Sequence, residues 1–248
     1  MKLSFIKNIC FKGGTNVEIV DLSQEIFQGM PVFPGHQPTV VFPVTKIKEI
    51  GENKRSFAVN TLLFSEHAGT HTDSFTHTNT SEDALSIEKL SLDKFIGEAI
   101  CLDVSHVPDS ELIYVKDLEK PLNDANLSIP DNGIVLLYTG AYVRHFPKPI
   151  YNQKNPGLSR EAAQWLAERG IKNVGIDAVS IDASPNKGDE WKPAHNVCEE
   201  TGMLNTENLG DLRPVAGKAF YYIGFPLKVR NGTAGPTRAV AILDKKFI

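Results

Sequence analysis

Three of the chain's seven histidines and an aspartate fall in one short stretch, EHAGTHTDSFTHT, from Glu66 to Thr78. They are His67, His71, Asp73 and His77. Imidazole and carboxylate without thiolate suit a catalytic Zn2+ or Mn2+ better than a structural zinc. Such an ion lowers the pKa of a bound water toward ~7 and supplies a hydroxide nucleophile near neutral pH. The positions differ by 4, 2 and 4, so extended backbone turns all four side chains to one face. In a helix, His71 and Asp73 would diverge by ~200°, and Thr70, Thr72 and Thr76 favour a strand. A straight strand is nevertheless too long. At ~3.3 Å per residue it puts His67 and His77 ~33 Å apart, whereas bonds to one ion are ~2.0–2.2 Å. The chain must bend, and Gly69 permits a bend between the first two histidines. His71 and Asp73 then chelate as near neighbours and His67 joins them. His77 lies one step beyond, placed to support the ligands or to move a proton. The plain alternative is a polar strand end, but three histidines and an aspartate about one bend glycine exceed that pattern.

The elements that must position this cluster read mostly as strands. Val17–Ser23 and Thr39–Ile47 alternate, and Ser56–Ser65 leads into the cluster. The loop MPVFPGHQP between the first two carries Phe33, an aromatic with no evident reason to be in solvent and a candidate for stacking on substrate. Glu98–Val104 and Ile134–Gly140 read as buried strands. The clearest helix follows Ser159, a plausible N-cap, with Glu161 in its first turn and Gly170 at its end. Leu158, Ala162, Ala163 and Leu166 form its apolar stripe. Lys172–Asp177 reads as a strand, so Ile134–Asp177 is a β-α-β unit. Ala219–Leu227 and Thr237–Leu243 read as a C-terminal hairpin with a turn at Asn231-Gly232. The expected fold is mixed α/β with a partly antiparallel sheet, one crossover helix and a single domain over residues 1–248.

Composition excludes several classes. The hydrophobic fraction of 41% and charged fraction of 23% are those of a globular protein. A net charge of −4 gives no basic footprint for nucleic acid or an anionic membrane. No segment reaches the ~20 apolar residues of a membrane span. Cys10, Cys101 and Cys198 are far apart and outside any CxxC pair, which fits a reducing compartment. The start MKLSFIKNICFKGG imitates a signal peptide, but Lys7 and Lys12 interrupt its apolar run. The expected location is cytoplasmic.

HAGTHTDSFTH resembles the H-x-G-T-H-x-D-x-P-x-H signature of the metal-dependent hydrolases called the cyclase family, which includes kynurenine formamidase and isatin hydrolase. MPVFPG is similar to that family's aromatic-Pro-Gly loop, and VGIDAVSID (Val174–Asp182) to its G-I-D-x-x-S-x-D segment. ENL (Glu207–Leu209), FPL (Phe225–Leu227) and GPTRAVAIL (Gly235–Leu243) resemble its closing elements. The resemblance implies metal ligation by His67, His71 and Asp73, joined by His195 of KPAHNVC and Glu207 of NTENL. It implies that His77 is the catalytic acid/base and that one or two Zn2+ or Mn2+ ions are bound. It also implies a compact β/β/α, swivelling-domain-like fold with a barrel-like central sheet, and a homodimer or homotetramer. The implied activity is hydrolysis of an amide, lactam or lactone by metal-bound hydroxide, arylformamidase-like or, alternatively, isatin hydrolase-like. A metal-binding protein without catalysis and a cyclase or lyase are the competing classes. The chain departs from the signature at Phe75, which stands for proline and adds a ring near the site, a second candidate for substrate contact. His36 stands where kynurenine formamidases commonly carry an aspartate.

Other residues leave alternatives open. Asp177 and Asp182 either orient a ligand histidine or cap the loop after Ile176. Arg238 pairs with a structural or a substrate carboxylate. Trp191 walls a pocket or packs in a core or interface. His106 and His145 read as surface residues.

Overall fold

The computed structural model describes residues 7–10, 16–46 and 56–243. Ile47, at the end of one expected strand, and most of the N-terminal stretch Met1–Gly14 lie outside them. The first strands are β1 (Lys7–Cys10), β2 (Asn16–Asp21), β3 (Val40–Thr45), β4 (Val59–Leu63) and β5 (His71–Asp73). The middle of the chain supplies β6 (Ile96–Asp103), β7 (Leu112–Ile113), β8 (Ile134–Tyr138), β9 (Gly157–Leu158) and β10 (Asn173–Ile176). The rest are β11 (Leu204–Glu207), β12 (Ala219–Ile223), β13 (Ala234–Pro236) and β14 (Val240–Leu243). Four α-helices accompany them: α1 (Val115–Asp124), α2 (Ala141–His145), α3 (Arg160–Glu168) and α4 (Pro193–Thr201).

Ten strands form one curled, mixed sheet in the order β1-β2-β14-β12-β6-β8-β10-β11-β5-β13. The run β6-β8-β10-β11 is parallel and its flanks are antiparallel. The parallel centre is buried on both faces, as its continuous apolar character requires. Ile100, Leu102, Val135 and Leu137 join α1, α3 and α4 in one core, while Ala99, Cys101, Ile134 and Leu136 face a second core with Val20, Phe220 and Tyr222. The alternation along β6 and β8 is the two-residue period of a strand.

The β-α-β unit is present, with β8 and β10 parallel and α3 in the crossover. Ser159 caps α3 by accepting a hydrogen bond from the Ala162 N–H, and Gly170 turns out of it at φ +76°. Leu158 belongs to β9, not to the helix, and is buried with Ala162, Ala163 and Leu166.

Two expectations change. There are four α-helices among the described residues instead of one, and α4 matters because it carries His195. The C-terminal pair β12 and β14 is antiparallel, but it is not a simple hairpin. Between them β13 returns to pair with β5, whereas Asn231-Gly232 makes only a local turn. The short β5 is thus held between β11 and β13, at one end of the sheet. β3 and β4 form a separate two-stranded sheet whose Phe42, Val44, Leu62 and Leu63 are exposed. No helix among the described residues is long and apolar enough to cross a membrane.

Candidate metal centre

The site begins at the bend. Residues 66–70 turn, and Gly69 takes φ +66°, a left-handed conformation that favours glycine. A Cβ there would also meet Ile26 Cγ1 and Met30 Cε, each at 3.4 Å. Thr70 ties the bend to the end of β11: its hydroxyl donates to the Asn208 carbonyl at 2.5 Å and accepts from the Gln24 N–H at 2.9 Å. Gly69→Val is therefore expected to remove metal binding while leaving most of the fold. Circular dichroism beside metal analysis checks this, and full metal content in the variant would place the essential bend elsewhere.

β5 then extends His71 and Asp73 to one face, as strand parity requires. In the antiparallel register with β11, Glu207 lies opposite His71. His195 reaches the same point from the first turn of α4. His71, Asp73, His195 and Glu207 are buried, and His67 is nearly so.

Each of these three histidines is anchored through one ring nitrogen and presents the other inward. His71 Nδ1 donates to the Gly69 carbonyl at 2.8 Å. His195 Nδ1 donates to the Asp182 carboxylate, whose other oxygen accepts from the Ala194 N–H at 2.8 Å. His67 Nε2 bonds Thr233 Oγ1 at 2.9 Å, and that hydroxyl donates to Glu66 Oε1 at 2.5 Å. The Thr233 proton is thereby committed, so His67 donates through Nε2 and turns the Nδ1 lone pair inward.

The inward atoms meet. Asp73 Oδ1 lies 3.0 Å from His67 Nδ1 and 3.3 Å from His71 Nε2. Asp73 Oδ2 lies 3.4 Å from His195 Nε2 and accepts from the Asn205 amide at 2.7 Å. Glu207 Oε2 is 3.7 Å from His71 Nε2, and Oε1 is 3.4 Å from His195 Nε2. Glu207 Oε1 also accepts from the Ile181 N–H at 2.9 Å. Despite this closeness, Asp73 Oδ1, His71 Nε2 and His195 Nε2 have no hydrogen-bond partner. Buried polar atoms left unpaired are costly, and a cation among them satisfies all three. The donors are nitrogen and oxygen only. Nearby Cys198 stays a thiol, because burial and then the charges of Asp182, Asp73 and Glu207 push its pKa well up.

Without a cation the cluster stores protons. Burial opposes charge on His195, but Glu207, Asp182 and Asp73 outweigh it and lift its pKa to about 10. Burial likewise opposes charge on His71, which Asp73 and Glu207 raise above the ordinary histidine value. Asp73 is held well below the usual carboxylate range by His195, His67 and His71, against its own burial. Metal uptake at neutral pH should therefore expel a proton from His195. The sign is fixed by the raised values. Stability from these charged histidines is full below 6.5 and is lost as pH rises through about 10 for His195. The stabilisation gained from metal should grow over that interval. Calorimetry in buffers of different ionisation enthalpy measures the release, and zero release at pH 7 would contradict the proton inventory.

His77 sits apart in kind. It ends the 3-10 turn Phe75–His77, with its ring 4.3 Å from that of His67 and 5.8 Å from that of His195. Its donor atom still lies within 4.8 Å of those of His67 and Asp73. Neither ring nitrogen makes a hydrogen bond among the described residues, so nothing fixes its tautomer. Burial, opposed by Asp73 but aided by His67, His195 and Lys192, lowers its pKa to about 4.

Phe33 is partly buried beside the site, with its ring 5.4 Å from that of His36, which is in turn 5.5 Å from that of His67. Phe75 packs mainly on Ile87, Leu90, Phe95 and Leu204. It adjoins a cavity of about 10 Å3 with His77, His195 and Cys198, room for one water. Phe75 thus supports the turn that carries His77.

Asp182 orients His195, whereas Asp177 does not touch the site. Its carboxylate accepts from Thr139 and Gly140 at 2.6–2.9 Å, and burial lifts it to about 6. Arg238 pairs structurally with Asp21, and Trp191 is exposed. His106 and His145 pair with Asp117 and Asp109. Sequence reasoning missed Glu66, Thr233 and Asn205. Asn205 was within reach, because it stands two residues before Glu207 and shares its face of β11.

The Cyclase family's sequence profile matches residues 20–183, about two thirds of the chain. The chain belongs to the Cyclase family. Kynurenine formamidase of Bacillus cereus is 30% identical over 227 residues, covering 90% of this chain and 96% of its own. Isatin hydrolase of Roseibium aggregatum is 26% identical over 246 residues, covering 92% and 93%. The solved isatin hydrolase A from Ralstonia solanacearum has the same fold, with a TM-score of 0.81 at 23% identity over 92% of each chain.

Proposed function

We propose that this Cyclase-family chain is a metal-dependent hydrolase that cleaves the C–N bond of an aromatic amide. The observation that carries the reading is the meeting of Asp73 Oδ1, His71 Nε2 and His195 Nε2, buried, inward-facing and unpaired. His67, His71, Asp73, His195 and Glu207 would hold the metal. A divalent ion there supplies Lewis acidity, which polarises a carbonyl and acidifies water. His77 accepts the proton of the attacking water and returns it to the leaving nitrogen as the C–N bond breaks. Phe33 offers its ring to the aromatic part of the substrate. The products are a carboxylate and an amine.

Asp73 and Glu207 each turn one oxygen toward His71 and the other toward His195. That division supports a site that could hold one or two ions, Zn2+ or Mn2+, which would supply the Lewis acidity. The curled sheet takes strands from both ends of the described chain, which supports one domain over residues 1–248. The exposed apolar residues of β3 and β4 support a homodimer or homotetramer. Buried, free Cys101 and Cys198 suit a reducing, cytoplasmic setting.

An exocyclic formamide, as the name kynurenine formamidase denotes, is the first substrate class. The cyclic amide of isatin is the second, favoured by the fold shared with isatin hydrolase. Metal-loaded protein should split N-formylkynurenine into the free aromatic amine and formate, or open isatin to a single product heavier by one water. Absence of turnover on every amide, lactam and lactone tried, with metal bound, would leave a metal-binding protein without catalysis.

A further inference from the structure

We infer that Lys192, His36 and Phe33 form an anion-accepting subsite beside the metal centre, and that it selects aromatic amides carrying a carboxylate. The inference rests on the hydrolytic reading above and names the substrate class of that site.

Lys192 is half-buried immediately before α4, three residues ahead of His195. Its backbone is left-handed, with φ 50°, a conformation that costs a non-glycine residue ~1 kcal/mol or more. The side chain lies over the Phe33 ring, with Nζ 5.4 Å from the centroid. Nothing acidic neutralises it: among the described residues no carboxylate pairs with Lys192. Glu190, two residues earlier in the chain, is taken by Arg160 at 2.6 Å and by the Asn196 amide at 2.8 Å. Phe33, which the ammonium overlies, leads to His36 and through it to His67, so the cation borders the metal cluster.

His36 supplies a second, independent observation. Its ring stands between those of Phe33 and His67, and its Nδ1 is buried without a hydrogen-bond partner. An imidazole carries at least one N–H in either protonation state, so His36 has a proton to donate into the cleft. A ring lying on Phe33 with its amide at the metal centre places a ring substituent toward Lys192. A carboxylate there gains a charge-assisted hydrogen bond from the ammonium and can accept one from His36. In a chain of net charge −4, whose site already holds Asp73 and Glu207, an unpaired cation at the mouth is what makes an anionic substrate acceptable.

The test compares formanilide with the N-formyl derivatives of ortho-, meta- and para-aminobenzoate on metal-loaded protein. At least one carboxylated substrate should be preferred in kcat/KM. Lys192→Gln should cut that preference about tenfold or more, the scale of a hydrogen bond to a charged group, mostly through KM. Lys192→Arg should keep most of it. Calorimetric titration with benzoate runs in parallel and needs no turnover; Lys192→Gln should weaken benzoate about tenfold. Equal benzoate affinity in the two proteins, or a preference that survives Lys192→Gln, overturns the subsite. Failure to hydrolyse the four amides and also N-formylkynurenine and isatin overturns the hydrolytic reading instead, and the benzoate titration still decides the subsite.

Discussion

Asp73→Ala should lose metal and activity together. Among the described residues Asp73 is the one carboxylate that pairs with all three anchored histidines: Oδ1 lies at His67 and His71, and Oδ2 at His195. Its removal takes the negative charge from the centre and leaves inward nitrogens facing one another. Loss of a group that merely orients a ligand costs ~10–100-fold in metal affinity, so loss of the carboxylate proposed as a shared ligand should cost more. The thermal shift that metal produces in the wild type should vanish with it, because an ion that no longer binds the native state cannot stabilise it. Elemental analysis, kcat and melting temperature with and without Zn2+ or Mn2+ read the three effects. Full metal content in Asp73→Ala would show that His67, His71, His195 and Glu207 suffice. Asp182→Ala is a graded companion: it removes no inward atom and frees the His195 ring together with the Ala194 N–H.

The contrast between Asp73 and the distant ligands also explains what was legible in the sequence. His71 and Asp73 are two residues apart on a strand, so one local rule puts them on one face, and Gly69 marks the bend beside them. Ser159 and Gly170 mark α3 by equally local chemistry. His195 and Glu207 carry no such mark. Each is a lone polar residue, and they become neighbours of Asp73 only through the pairing of β11 with β5 and the packing of α4. They were reached through family resemblance. α4 itself carries little local signal, being nine residues long and beginning at Lys192-Pro193 without a capping side chain. The C-terminal strands failed for the opposite reason. Asn231-Gly232 is a strong local turn signal, but the pairing of β13 with β5 is set from across the sheet. Glu66 and Thr233 share that long-range origin, lying 167 residues apart in the chain and bonded in the fold.

His77→Ala should keep its metal and lose most of its turnover. The distinction rests on anchoring. His67, His71 and His195 each spend one nitrogen on a fixed partner and aim the other inward, the arrangement of a ligand. His77 spends neither. Its pKa of about 4 leaves it unprotonated at neutral pH, able to take a proton from attacking water. Its place beside His67 puts it at the edge of the cluster. Removal of a positioned proton-transfer group typically costs ~10²–10⁴-fold, and His77→Gln should not recover the loss, since an amide does not exchange protons at this pH. The geometry also allows the opposing outcome, because the His77 donor atom lies within 4.8 Å of those of His67 and Asp73. Metal stoichiometry measured beside kcat separates the two. A His77→Ala protein that loses metal as Asp73→Ala does makes His77 a ligand. One that turns over at the wild-type rate makes it structural, and the proton then leaves by solvent.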